Sequence, residues 1–291
     1  MFFLAQLIGI FIVNQYSQEN VQLPYGMQPP EMKASASLTS ILTSMIIAIF
    51  LIFILMKIKA VLFLRLWFFF VVILALALAF NAFLLLFPSF PYPQILALII
   101  ALPLAIYKIF KRNILIHNLT ELLIYPGIAA VFVPILNLWA IIILLLLISV
   151  YDIYAVWHSG FMQKMVKFQI NHLRLFTGFF LPYADKKTKM QISLLKEKYQ
   201  NKIPNKILKK KKFKIQLAIL GGGDVVFPII LAGVVLNVFG LLSAIIISIF
   251  ATLSLLYLFI AARKGKFYPA MPYLTAGCLL GLLVGWLVSL V

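Results

Sequence analysis

Acidic side chains are nearly missing from this chain: 7 Asp and Glu stand against 25 Lys and Arg among 291 residues. Such an excess of positive charge could suit a nucleic-acid binder. However, 14 of the basic residues fall between positions 159 and 213, the pattern of a loop flanking a membrane, and nucleic acid is set aside as a partner. Charge of either sign is rare, 11% against 64% hydrophobic residues. A chain so apolar is not a soluble domain; it reads as a multi-pass integral membrane protein of the cell membrane, with the lipid bilayer as its solvent. The single cysteine, Cys278, excludes a disulfide within the chain and a cysteine-based metal cluster. His117, His158 and His172 show no ligand spacing, so the reading includes no metal and no cofactor.

What is abundant is long apolar runs. They fall near 1–13, 38–56, 61–87, 93–109, 118–134, 135–158, 215–238, 241–262 and 270–291, and most approach the roughly 20 residues that cross about 30 Å of hydrocarbon. The first run has no basic n-region and no evident cleavage site, so it reads as a span rather than a signal peptide. Lys57, Lys59 and Arg65 flank the second connection, Lys108, Lys111 and Arg112 the fourth, the long basic stretch the sixth, and Arg263, Lys264 and Lys266 the eighth. Every even connection is basic, whereas the odd ones carry only Lys33. The expectation is an all-α protein of nine transmembrane helices, with the N-terminus and loop 159–213 in the cytosol and the C-terminus outside. Residues 1–134 would form a five-helix scaffold, and 135–291 a four-helix part carrying the chemistry. Asn118-Leu119-Thr120 matches a glycosylation pattern, but its predicted cytosolic side argues against that use.

Of the seven acids, Glu19, Glu31, Glu121, Asp185 and Glu197 are expected in loops or near span ends. Asp152 and Asp224 are expected inside spans, where each charge costs about 2.5–3.5 kcal/mol. With cytosolic span ends at 158 and 215, the two acids would lie roughly 9 and 14 Å deep on neighbouring antiparallel helices. Two close carboxyls in a dry site tend to share a proton, which supplies a base and an acid. The base would take a proton from water attacking a peptide carbonyl, and the acid would polarise the carbonyl oxygen. A proton relay in a transporter is equally compatible with the spacing. Gly221, Gly222 and Gly223 would weaken the seventh helix by about 0.8–1 kcal/mol each while allowing close backbone approach.

Three short patterns distinguish these readings. Tyr151-Asp152, Gly221-Gly222-Gly223-Asp224 and Pro269-Ala270-Met271-Pro272 resemble, in order and spacing, the motifs of the presenilin and signal peptide peptidase family of Gly-x-Gly-Asp intramembrane aspartyl proteases, in a prokaryotic, archaeal-type form. The resemblance is carried by residues 135–291; the first five spans match only in number and topology. Met271 stands where the family has leucine, a swap of similar volume. The resemblance implies that Asp152 and Asp224 are the catalytic pair, that Tyr151 and the glycines shape the site, and that the Pro269–Pro272 segment leaves backbone groups for an unwound substrate. The implied partners are transmembrane-helix proteins. Gly277, Gly281 and Gly285 make a small-residue stripe for helix packing. The other readings are a proton-coupled transporter, a prepilin-type peptidase and a non-catalytic scaffold. Natural substrate, cleavage position, oligomeric state and processing of loop 159–213 have no signature in the sequence.

Overall fold

The computed structural model describes residues 1–18, 21–27, 34–58, 60–87, 91–111, 113–159, 177–184, 215–262 and 268–290. Among them nine α-helices follow in order: α1 Phe2–Tyr16, α2 Ala34–Lys57, α3 Val61–Leu84, α4 Pro93–Phe110, α5 Ile114–Phe132, α6 Leu138–Tyr154, α7 Gly222–Phe239, α8 Leu241–Ala261 and α9 Met271–Ser289. Seven of these, α3 to α9, are long and apolar enough to cross a membrane, whereas α1 is apolar but shorter.

Two strands lie where the sequence suggested none. β1 (Gly178–Ala184) and β2 (Ile215–Gly221) pair antiparallel, with Gly178 opposite Gly221 and Ala184 opposite Ile215. The seventh apolar run therefore does not form one helix from 215 onward. Its first seven residues are a strand, and the helix starts at Gly222. Three consecutive glycines disfavour a continuous helix, and β1 offers the backbone partners that a strand needs. The glycines then lie at a helix start, with Gly221 as N-cap, where their low propensity costs little. The long loop is likewise not featureless, since β1 lies within it; the rest of 159–213, basic run included, falls outside the described residues apart from Ser159 and Thr177.

α7 is the hub. From Val225 to Leu236 all its residues except Phe227 are buried, as expected of a helix apolar on every side. It packs against α1, α5, α6, α8 and α9. Gln6 of α1, fully buried, donates from Nε2 to the Val225 carbonyl at 3.1 Å. At the other end of α1, Tyr16 donates to Leu78 O at 2.8 Å and accepts from Asn81 Nδ2 at 3.0 Å. The glycine stripe of α9 packs on α8: a Cβ at Gly281 would stand 2.8 Å from the Ile247 Cα. Trp67 and Phe70 of α3 point outward, 60% and 61% exposed, as lipid-facing side chains do.

Candidate active site

α6 ends just beyond Asp152, and its last turn widens into a π-helical turn, Ala155–Ser159. The Asp152 side chain is buried, 6% exposed. Its Oδ2 accepts the Met271 backbone N–H at 3.1 Å and also interacts with the N–H of Ala270. Those amides open α9, which has no side-chain cap of its own. A helix start leaves unpaired N–H groups, and Pro272 removes one of them. The start of α9 thus directs the Ala270 and Met271 donors onto Asp152, so that an acid of α6 caps α9. One turn further in, Ser149 and Thr275 hydroxyls meet at 2.7 Å and tie the same two helices again.

Asp224 occupies the first turn of α7, a favourable place for an acid in the field of a helix N-terminus. Its carboxyl turns back on the Gly221 backbone N–H, the acidic half of a capping box. A Cβ at Gly221 would lie 3.0 Å from Asp224 Oδ2. Asp224 is partly buried and lies close enough to Asp152 for the two carboxyls to interact electrostatically. Pro228 leaves the Asp224 carbonyl without its usual helical donor.

The predicted residues therefore gather at one end of the bundle, on α6, the start of α7 and the start of α9. Tyr151 differs: it is 41% exposed, on the outer face of α6 beside its buried neighbour.

Sequence reasoning missed a second polar layer. Glu121, expected near a span end, is 1% exposed, because α5 begins at Ile114 rather than near 118. Asn113 starts the helix early by capping the Leu115 N–H at 2.9 Å. The Glu121 charge is matched by Lys108 of α4 at 2.6 Å, both side chains being nearly inaccessible. His117 Nε2 lies 2.8 Å from the Gly178 carbonyl, so it donates, and Nδ1 is left to accept from Lys108 Nζ at 3.4 Å. Asn118, 5% exposed, pairs with Phe180 twice: its Nδ2 donates to Phe180 O at 2.9 Å and its Oδ1 accepts the Phe180 N–H at 3.0 Å. It acts as a short piece of strand edge and holds β1 on α5. The one available signal was its company, since His117, Asn118, Thr120 and Glu121 crowd polar groups into an otherwise apolar run. Among the described residues no three His, Cys, Asp or Glu come together as metal donors.

A family profile described as "Signal-peptide peptidase, presenilin aspartyl protease" matches residues 1–291. No curated protein matches. Two solved structures of a presenilin family intramembrane aspartate protease are similar. One, in space group C222, has a TM-score of 0.60 and 18% identity over 99% of this chain and 96% of that one. The other, in space group P2, has a TM-score of 0.59 and 19% identity over 99% and 95%.

Proposed function

The chain belongs to the signal-peptide peptidase and presenilin aspartyl protease family and is a multi-pass intramembrane aspartyl protease; from that premise we propose that Asp152 and Asp224 hydrolyse peptide bonds of transmembrane segments by activating water. The ionised carboxyl takes a proton from water as it attacks the scissile carbonyl. The protonated one polarises the carbonyl oxygen, and a proton then reaches the leaving amine. Asp152, held by the Met271 N–H, is the more tightly oriented of the two. Asp224 lies on a helix start that the β1–β2 hairpin continues.

The observation that carries this reading is the placement of two carboxyls, Asp152 in the last turn of α6 and Asp224 in the first turn of α7, at one end of an otherwise apolar bundle and within electrostatic range of each other. A helical substrate must unwind, because its carbonyls are otherwise occupied. Tyr151, Gly221–Gly223 and Pro269–Pro272 are proposed to border its path, with Tyr151 at the lipid-facing entrance, as its exposure suits. We further propose nine spans, α1 and α2 included, with the N-terminus and the site's end of the bundle toward the cytosol, on the charge pattern of the loops. Residues 1–134 serve as scaffold and 135–291 supply the chemistry.

The test is cleavage of a labelled single-span substrate by the purified protein in proteoliposomes. Asp152→Ala and Asp224→Ala are each expected to abolish cleavage while remaining folded, with a melting temperature lowered only by the loss of a helix cap, about 0.5–2 kcal/mol. Cleavage surviving in either variant would sink the pair. Proton flux driven by a substrate that stays intact would favour the relay reading instead.

A further inference from the structure

Tyr125 of α5 is a phenol placed where a phenylalanine would fill the same space. Its side chain is 3% exposed, its ring packs edge-on against Phe179 of β1 at 5.6 Å and 83°, and it presses on Gly222 so closely that a Cβ there would lie 2.9 Å from Cε1 and 3.0 Å from the hydroxyl. That hydroxyl is buried and completes no hydrogen bond of ordinary geometry among the described residues. A buried hydroxyl without a partner is destabilising relative to the same ring without it, so packing does not account for it.

Its surroundings suggest what the hydroxyl is for. Glu121 lies four residues before Tyr125 and His117 four before that, so all three share one face of α5. The Glu121 charge is already occupied by Lys108 at 2.6 Å, with His117 Nε2 at 3.5 Å. The hydroxyl interacts more strongly with Glu121, at the margin of a hydrogen bond, and more weakly with Asp224 across the helix boundary. It lies against Gly222, two residues before Asp224 in the same first turn. One phenolic proton thus faces two acids, one of which already has a cationic partner.

We propose that Tyr125 is a positioning residue for Asp224: in the working enzyme its hydroxyl turns from Glu121, whose charge Lys108 already offsets, and donates to the Asp224 carboxylate. The bond orients the carboxylate for the attacking water without moving a proton to or from substrate. Gly222 is the residue that admits the ring to this distance. The inference rests on Asp224 belonging to the catalytic pair.

Tyr125→Phe tests it, since it removes one oxygen and leaves the ring. With a fluorogenic transmembrane peptide in proteoliposomes, kcat should fall about 10- to 100-fold, as expected for loss of a hydrogen bond to a charged group, with KM within about twofold of wild type. The melting temperature should equal or exceed that of wild type, because an idle buried hydroxyl has been removed. A kcat within about twofold of wild type, a loss confined to KM, or a loss that tracks a lowered melting temperature overturns the proposal. Asp224→Ala, run alongside, separates the two ideas. If it still cleaves, the catalytic pair is wrong; if it is silent while Tyr125→Phe cleaves like wild type, only the role of Tyr125 is lost.

Discussion

The backbone N–H of Met271 donates to Oδ2 of Asp152 at 3.1 Å, across 119 positions of sequence. Through this bond the proline-rich start of α9 becomes part of the carboxyl site, and α6 and α9 are set in register by the functional group itself.

The donor is backbone, so the side chain at 271 should matter only for packing. Met271 is 3% exposed. Met271→Leu is expected to keep activity and stability within about 1.5 kcal/mol. Met271→Ala should lower stability by about 2–5 kcal/mol, yet retain kcat in the folded fraction. Thermal unfolding and kinetics on the same preparation check both. A large kcat loss in the leucine variant would show that the side chain, not its amide, acts.

The glycines of the Asp224 turn should not be equivalent. A Cβ at Gly222 meets the Tyr125 ring at 2.9 Å, whereas one at Gly223 finds Phe227 at an ordinary 3.6 Å. Gly222→Ala is expected to displace the first turn of α7, at a cost of about 1–3 kcal/mol, with strong loss of cleavage. Gly223→Ala should fold like wild type. Cleavage assays and melting curves of the two variants would rank them, and equal effects would contradict the geometry.

Asn118 should matter to the hairpin more than to the bundle. Asn118→Ala leaves the Phe180 N–H and C=O without their partner, a loss of about 1–3 kcal/mol for each buried group left unsatisfied. Hydrogen exchange is expected to quicken at Phe179 and Phe180 while α7 stays protected. Unchanged protection of β1 would mean that strand pairing alone holds it.

The Lys108–Glu121 pair should show non-additive behaviour. Both side chains are nearly inaccessible, so removing one partner, as in Lys108→Met or Glu121→Gln, strands the other; Lys108→Met is expected to cost about 3–5 kcal/mol. The double variant Lys108→Met with Glu121→Leu should recover much of that loss. A double-mutant cycle in thermal unfolding reads the coupling, and simple additivity would show that the two charges do not depend on each other.

What the sequence determined by itself is what composition and local order can carry. Long apolar runs must be helices in lipid, because each span has to pair its own backbone groups; seven described helices meet that requirement by length and composition. Asp152 and Asp224 stood out because an acid inside an apolar run is expensive, and the proline motif stood out by its order after them. What only the tertiary structure decided depends on partners distant in the chain. Glu121 looked like a span-end acid until Lys108 of α4 met it at 2.6 Å. The run from 215 onward looked like one helix until β1 paired with its first seven residues. Asn118 looked like the start of an apolar span until Phe180 took both its polar groups. Hydropathy is a sum over neighbours in sequence, whereas hydrogen bonds and ion pairs are satisfied by whichever groups the fold brings near. The carboxyls could therefore be found one by one, and what each of them touches was settled by packing.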